Sequence, residues 1–173
     1  MSRFDPRNLL YVFLRRVHVP RWLYALGAHL LNQHFLLGAV AIIADEQGRL
    51  LLFHHTYRRR TPWGLPGGWM IRGESPLEAV VREVREESGL AIEAEELLMI
   101  GTAPTRAKLE FVIKARVVGG SFRPSGEVDA AQWYALDQLP TLPRFQRDIL
   151  ALWRERRPGQ LIAYEAPWQI AEP

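Results

Sequence analysis

A helix with both of its ends specified constrains this chain more than any other segment. Ser75, Pro76 and Glu78 place a hydroxyl acceptor at the N-cap, a proline at the first helical position and a carboxylate at the third, which is the pattern of a capping box. Gly89 supplies the left-handed residue at which such a helix ends. The sequence therefore predicts a helix over residues 76–88.

This helix combines an apolar stripe with a separate acidic face. At about 100° per residue, Glu83, Glu86 and Glu87 fall within about 100° of one another. Like charges at i and i+4 destabilise a helix, and only Arg82 is spaced to brace one of them, at Glu86. A hard divalent cation bound through oxygen would relieve the repulsion. A metal site and a solvated acidic face both remain open at this point. The stripe consists of Leu77, Val80, Val81 and Val84.

The wider spacing resembles a known pattern, the Nudix box, with every defined position filled. Its positions are Gly68, Glu74, Arg82-Glu83, Val84, Glu86-Glu87, Gly89 and Leu90. Pro66-Gly67-Gly68 and Trp63 also resemble the strand that enters the Nudix helix. The resemblance covers roughly residues 36–157 and implies an α/β (α+β) Nudix fold, a mixed β-sheet sandwiched between helices. We expect a Nudix hydrolase domain at 35–157, an N-terminal amphipathic helical extension at 1–34 and a C-terminal tail at 158–173.

The resemblance also implies an activity and a metal site. Nudix enzymes hydrolyse a nucleoside diphosphate linked to another group, using Mg²⁺ or Mn²⁺. The implied metal ligands are Glu83, Glu86 and Glu87, with the backbone at Gly68 completing the shell. Arg82 is expected to brace these carboxylates and is grouped with the catalytic residues. Glu74 is expected to orient the site and is grouped with the residues that bind substrate.

The catalytic base in this family is either a box glutamate or a glutamate on a later loop. Glu83 and Glu86 are the box candidates. Among later residues we favour Glu127, which follows the glycine-rich segment GGSFRPSG. Glu110 is a second candidate, inside a predicted strand, and Asp129 is a third. These three could also be ordinary loop and strand acids.

The substrate is less closely specified. Tyr57 and Trp63 are candidates to stack on a base, and Arg58 and Arg59 could hold a second phosphate. Pro104 lies close to the position of a proline in ADP-ribose hydrolases, which favours ADP-ribose or a nucleotide sugar. The alternatives are a (d)NTP pyrophosphatase of the housecleaning type and a catalytically silent module that binds a nucleotide and regulates a partner.

The remaining secondary structure follows from apolar patterning. An apolar run from Leu36 precedes a turn at residues 45–48, and a second strand follows as RLLLFHH. Further strands are predicted at 96–103, 109–118 and 131–136, and a helix at 143–156. Residues 3–34 read as a basic, aromatic, amphipathic helical pair that packs on the domain or on a dimer partner, or lies on a membrane surface.

Composition narrows the classes of protein to which this chain could belong. The chain contains no cysteine, which excludes disulfides and thiolate metal sites and is consistent with a cytoplasmic protein. We find no signal peptide. The longest apolar stretch, at residues 35–44, has about half the length of a helix that spans a bilayer. The net charge is +3 and the only lysines are Lys108 and Lys114. The acidic cluster argues against a stable nucleic acid partner, so a small nucleotide derivative is expected.

Overall fold

The computed structural model describes Pro20 and residues 35–102 and 107–165. Over those residues the chain forms eight strands and two helices. In chain order they are β1 (Leu36–Ile43), β2 (Leu50–His55), β3 (Trp63–Gly64), β4 (Gly67–Trp69), α1 (Pro76–Ser88), β5 (Leu90–Thr102), β6 (Lys108–Gly120), β7 (Val128–Tyr134), α2 (Arg144–Glu155) and β8 (Ile162–Glu165).

The strands are divided between two sheets. The larger has the order β4-β1-β6-β5-β8 and the smaller the order β3-β2-β7. In the larger sheet β1 runs parallel to β6, and β5 runs parallel to β8, whereas its other pairs are antiparallel. The predicted mixed α/β class is confirmed, with the strands forming two sheets rather than one.

The turn after β1 explains this division. Asp45 Oδ1 accepts hydrogen bonds from the backbone N–H of Gln47 at 3.0 Å and of Arg49 at 2.8 Å, and Gly48 has a φ of 75°. The predicted turn is therefore confirmed. The strands on either side meet only at the bridge between Ala44 and Leu50 and then enter different sheets.

Strand β1 is buried on both faces, as its continuous apolar run predicts. Alternate residues enter two clusters, because successive side chains of a strand point to opposite faces. Ala39, Ala41 and Ile43 pack with residues of α1, whereas Val40 and Ile42 pack with residues of α2. Strand β1 therefore contributes to the core on both faces of the sheet and packs against α1 on one of them.

Helix α1 has the predicted bounds. The N–H of Glu78 donates to Ser75 Oγ at 3.3 Å, and the N–H of Ser75 donates to Glu78 Oε2 at 2.8 Å, so the capping box is complete. Gly89 ends the helix in the left-handed conformation, with a φ of 73°. Val80 and Val84 are buried, so the predicted apolar stripe faces the core.

Three features differ from the predicted elements. The strand predicted at 131–136 runs from Val128 to Tyr134. Strand β5 begins at Leu90, directly after the helix cap, and not at residue 96 as predicted. Its long pairing with β6 contains three register shifts, which disturb the alternation of side chains from which a strand is predicted. Strand β8 lies in the C-terminal segment, for which no regular structure was predicted, and it pairs with β5 from Met99 to Thr102.

Residues 1–19, 21–34, 103–106 and 166–173 lie outside the described part of the chain. The N-terminal helical extension, its proposed dimer or membrane contact and the domain bounds therefore stay predictions. Within the described part, no helix has the length and apolar character needed to cross a bilayer.

Candidate active site

The acidic face of α1 lies against the two glycines of β4. A Cβ atom on Gly68 would lie 2.5 Å from Cδ of Glu83, so only glycine leaves room for that carboxylate. Glu87 is 6% exposed, and its Oε2 accepts a hydrogen bond from the N–H of Gly67 at 3.4 Å. Gly67 has a φ of 135°, a conformation that other residues rarely adopt. The glycines thus bring the backbone of β4 into contact with the carboxylates.

Arg82 fixes the arrangement of this face. Its Nη1 donates to Glu83 Oε1 at 2.9 Å and to Glu86 Oε2 at 3.1 Å, and its Nη2 donates to the carbonyl oxygen of Trp69 at 3.0 Å. Arg82 is itself held by Glu74, whose Oε2 accepts from Nε at 3.0 Å and whose Oε1 accepts from Nη2 at 2.8 Å. The predicted brace between Arg82 and Glu86 is therefore present.

Glu74 acts on the site through Arg82. Its Oε1 also accepts from the N–H of Ile71 at 2.6 Å, and the hydrogen bonds from Arg82 lower the pKa of Glu74. The same pairing raises the pKa of Arg82, so both groups stay charged. With both oxygens engaged, Glu74 is better placed to position Arg82 than to touch substrate.

The glutamates share an unfavourable electrostatic environment. Burial raises the pKa of Glu87 to about 7, with further contributions from the charges of Glu83 and Glu127. Burial also raises the pKa of Glu83, with Glu86 and Glu127 adding to the rise. Concentrated negative charge that the protein only partly neutralises is what a cation site requires.

Glu127 belongs to this cluster although it lies far away in sequence, since its charge acts on both Glu83 and Glu87. Its backbone is anchored to the end of β2, because its carbonyl oxygen accepts from the N–H of Thr56 at 2.9 Å. Its side chain is exposed. The loop therefore presents an exposed carboxylate from an anchored backbone position.

The two other candidate acids have different surroundings. Asp129 Oδ1 lies 2.6 Å from Nδ1 of His54. Glu110 is 3% exposed and its Oε2 lies 2.6 Å from Nζ of Lys108, and burial raises the pKa of Glu110. Of the three, Glu127 is the one whose charge reaches the box glutamates.

Among the residues predicted to bind substrate, Arg58 has the most distinctive position. Its Nη1 is buried and has no hydrogen-bond partner among the described residues, and a Cβ atom on Gly64 would lie 2.5 Å from it. The positive charge of Arg58 opposes the rise in pKa at both Glu87 and Glu110. Arg58 therefore lies within electrostatic reach of both carboxylates and offers an unused donor.

The other predicted substrate residues divide into two groups. Tyr57 is 60% exposed with the guanidinium of Arg58 5.5 Å from its ring centroid, and Arg59 is also exposed. Trp63 instead packs edge-on against His54 at 5.1 Å and Tyr134 at 5.2 Å. Trp63 is partly buried and packs against the core cluster that includes residues of α2, so its ring is less available as a stacking surface than that of exposed Tyr57.

Sequence reasoning did not single out Trp69 as a site residue. Trp69 follows Gly68 directly and is 51% exposed, and Nζ of Lys108 lies 4.7 Å from its ring centroid. Its position beside the glutamate cluster depends on the pairing of β4 with β1. The one signal in the sequence was its place immediately after the two glycines.

The donor set fits a hard divalent cation once one side chain has moved. Among the residues that the structure describes, no three acidic or histidine side chains stand close enough together to enclose an ion. Glu86 is 62% exposed, however, so its carboxylate can rotate towards Glu83 and Glu87. Carboxylate and backbone oxygens are the ligands that Mg²⁺ and Mn²⁺ take.

The chain combines a mixed α/β fold with a cluster of glutamates on a capped helix. An arginine holds this cluster, which lies against a Gly-Gly strand. The combination defines a class of proteins whose site is built from carboxylates. Comparison with known families gives the membership: the model of the NUDIX domain matches residues 34–153, and the chain belongs to the Nudix family.

Individual relatives carry several different names. Over 118 residues the chain is 41% identical to the human 8-oxo-dGDP phosphatase NUDT18, a match covering 65% of this chain and 36% of the relative. It is 33% identical over 118 residues to an ADP-ribose pyrophosphatase of Methanocaldococcus jannaschii, covering 62% and 68%. The crystal structure of an ADP-ribose pyrophosphatase from Streptococcus suis superposes with a TM-score of 0.62 at 29% identity, covering 76% and 99%. The aligned region spans little more than a third of the first of these relatives.

Proposed function

We propose that this chain is a pyrophosphohydrolase, dependent on Mg²⁺ or Mn²⁺, that cleaves the diphosphate of a nucleoside diphosphate derivative. The observation that carries the proposal is the position of Glu83 and Glu87 against Gly68 and Gly67, with Glu86 linked to Glu83 through Arg82. Membership of the Nudix family, with relatives named as phosphatases and pyrophosphatases, supports it.

The metal would be held by the carboxylates of Glu83, Glu86 and Glu87 and by the backbone at Gly68. When bound, such an ion neutralises charge on the diphosphate and lowers the pKa of a coordinated water. Arg82 holds the carboxylate of Glu83 through a hydrogen bond from Nη1, so that this ligand is already in position before the metal binds. The exposed carboxylate of Glu86, which shares the same Nη1, would turn towards Glu83 and Glu87 to complete the ligand set.

Glu127 is our candidate for the general base. A water oxygen forms a bond to phosphorus while the bond from phosphorus to the bridging oxygen breaks. The proton of the water passes to the carboxylate of Glu127, which needs to come within hydrogen-bond reach of it. Because this side chain is exposed on an anchored backbone, rotation about its own bonds can bring it there.

Arg58 is our candidate for holding a phosphate of the substrate. Its buried Nη1 is a donor without a partner among the described residues, and a guanidinium matches the geometry of phosphate oxygens. Tyr57 and Arg59 lie on the same exposed loop and could contact the group beyond the diphosphate.

The substrate itself is proposed at the level of class. ADP-ribose or a nucleotide sugar was expected from sequence, and relatives named as ADP-ribose pyrophosphatases support that class. The human relative named for 8-oxo-dGDP supports a nucleoside diphosphate instead. A (d)NTP pyrophosphatase is a further alternative. A silent module is disfavoured because the chain has every glutamate of the box.

Isotope incorporation tests the chemistry. Hydrolysis in ¹⁸O-labelled water is expected to place the label on a phosphate product, because the attack is at phosphorus. Mass spectrometry of the separated products measures this directly. Label on a sugar carbon or an ester carbon would rule out the proposed attack at phosphorus.

Replacement of Gly68 tests the contact between β4 and the helix. Gly68→Ala is expected to lower kcat by about 10²-fold, because a Cβ atom would overlap the carboxylate of Glu83 and small displacements of catalytic groups have effects of that size. Gly119→Ala is the matched control, since a Cβ atom there meets nothing within 4 Å. Equal activity of the two variants would contradict the assigned role of Gly68.

A further inference from the structure

Gln146 is a buried polar residue that the proposed hydrolysis does not use. It lies in the first turn of α2 and is 1% exposed. Its Oε1 accepts a hydrogen bond from the backbone N–H of Leu65 at 2.9 Å. A buried amide is costly unless it is hydrogen-bonded. This bond therefore ties α2 to the segment between β3 and β4.

The segment that Gln146 holds leads directly into the Gly-Gly strand. Leu65 is 1% exposed, and the carbonyl oxygen of Pro66 accepts from the N–H of Ala41 in β1 at 2.8 Å. Helix α2 and strand β1 therefore fix the two residues that precede Gly67.

Gly64 brings the amide of Gln146 and the guanidinium of Arg58 to the same point of β3. A Cβ atom on Gly64 would lie 2.5 Å from Nη1 of Arg58, 3.0 Å from Oε1 of Gln146 and 3.3 Å from its Nε2. Gly64 does not have a positive φ, so its backbone conformation is open to other residues. Glycine is required here because it leaves room for the guanidinium and the amide.

Arg58 reaches this point from a loop that is closed at its base. The N–H of His55 donates to the carbonyl oxygen of Pro62 at 2.8 Å, and the N–H of Arg58 donates to the carbonyl oxygen of His55 at 3.3 Å. The guanidinium lies 5.5 Å from the ring centroid of Tyr57. Its buried Nη1 has no hydrogen-bond partner within the described ranges. Packing over Gly64 therefore sets where this nitrogen lies.

We propose that Gly64 and Gln146 are positioning residues that hold the guanidinium of Arg58 for a phosphate of the substrate. This inference rests on the proposed function, in which Arg58 donates to that phosphate. Arg58 acts electrostatically on Glu87, whose carboxylate accepts from the N–H of Gly67. Because Gln146 also holds the segment before Gly67, one amide supports both the arginine and the strand beside the metal ligands. Such support aligns two groups that bind the same diphosphate.

A double-mutant cycle on Gly64 and Arg58 tests the inference. The probe is methylenediphosphonate, a diphosphate with a carbon bridge, titrated calorimetrically into the full chain with Mg²⁺. Arg58→Ala is expected to raise its Kd by about 10- to 100-fold, the range for losing a hydrogen bond to a charged group. Gly64→Ala should raise it by about 10-fold, because the added methyl group displaces the guanidinium. In the Arg58→Ala background the same change should have less than about a twofold effect.

Gln146→Glu provides a second variant, which keeps an acceptor for the N–H of Leu65. Its carboxylate is expected to draw the guanidinium of Arg58 away from the phosphate and to raise the Kd by about 10-fold. This effect should also disappear in the Arg58→Ala background. Gly119→Ala is the matched control, since a Cβ atom there meets nothing within 4 Å, and it should keep the Kd of the unmodified protein.

Equal effects of Gly64→Ala with and without Arg58 would overturn the inference, because the glycine would then act on the fold alone. An unchanged Kd in a folded Gln146→Glu would overturn it as well. So would an unchanged Kd in Arg58→Ala, or no binding of the probe by the unmodified protein. The expected coupling in a chain that hydrolyses no nucleotide derivative would count against the proposed function alone.

Discussion

Glu87→Gln is expected to abolish turnover and, in the absence of metal, to stabilise the protein at neutral pH. The activity is lost because a carboxylate ligand is replaced by a neutral amide of the same shape. The stability rises because Glu87 is 6% exposed and lies near Glu83 and Glu127, so its negative charge opposes folding. Glu86→Gln is the matched comparison: its side chain is 62% exposed, and its loss should abolish turnover with little change in stability.

The size of this gain in stability depends on pH. Burial raises the pKa of Glu87 to about 7 in the folded state, whereas an unfolded glutamate titrates near 4.3. The native protein therefore loses stability as the pH rises through this interval, because folding opposes ionisation. The gain from Glu87→Gln should be on the order of 1–3 kcal/mol above about pH 7 and should vanish below about pH 4.

Denaturant unfolding in EDTA at pH 4 and pH 7.5 measures this gain, and steady-state assays with Mg²⁺ measure the activity. If Glu87→Gln hydrolyses nucleotides at the rate of the unmodified protein, Glu87 is not a metal ligand. If the variant is less stable at pH 7.5, the carboxylate stabilises the fold and the electrostatic account of the cluster is wrong.

Glu127→Gln is expected to lower kcat by roughly 10²- to 10⁴-fold while leaving KM nearly unchanged. A general base acts in the transition state, and its removal does not alter the binding of the ground state. Glu110→Gln should instead give only a modest loss of activity that follows a loss of stability, because Glu110 is buried beside Lys108.

Steady-state kinetics at saturating Mg²⁺ separate these two roles. Asp129→Asn serves as a control, since Asp129 is engaged with His54 at 2.6 Å and should keep most of its kcat. A larger loss of kcat in Glu110→Gln than in Glu127→Gln would reverse the assignment of the base.

The parts of the structure that local sequence specifies were predictable. Helix α1 is set by Ser75, Pro76, Glu78 and Gly89, all within one short segment, and the spacing of its glutamates placed them on one face. The brace from Arg82 to Glu86 followed from helical geometry, because residues four apart are neighbours on a helix.

Features that depend on pairing across the chain were not predictable in the same way. Glu127 was favoured by analogy, but its approach to Glu83 and Glu87 arises from the anchoring of its loop to β2. Strand β8 was not predicted, because it is defined by its pairing with β5, which is distant in sequence. Trp63 was chosen as an aromatic near the box, yet its contacts with His54 and Tyr134 leave it partly buried against the core.

Release of a nucleoside monophosphate is the measurement that tests the central claim most directly. The full chain would be incubated with a panel of nucleoside diphosphates, nucleoside triphosphates, ADP-ribose and nucleotide sugars, with Mg²⁺ or with EDTA, beside Glu86→Gln. We predict metal-dependent release of the monophosphate from at least one diphosphate derivative, absent in EDTA and in the variant. Release that persists in EDTA or in Glu86→Gln, or no release from any member of the panel, would contradict a metal-dependent pyrophosphohydrolase built on this glutamate cluster.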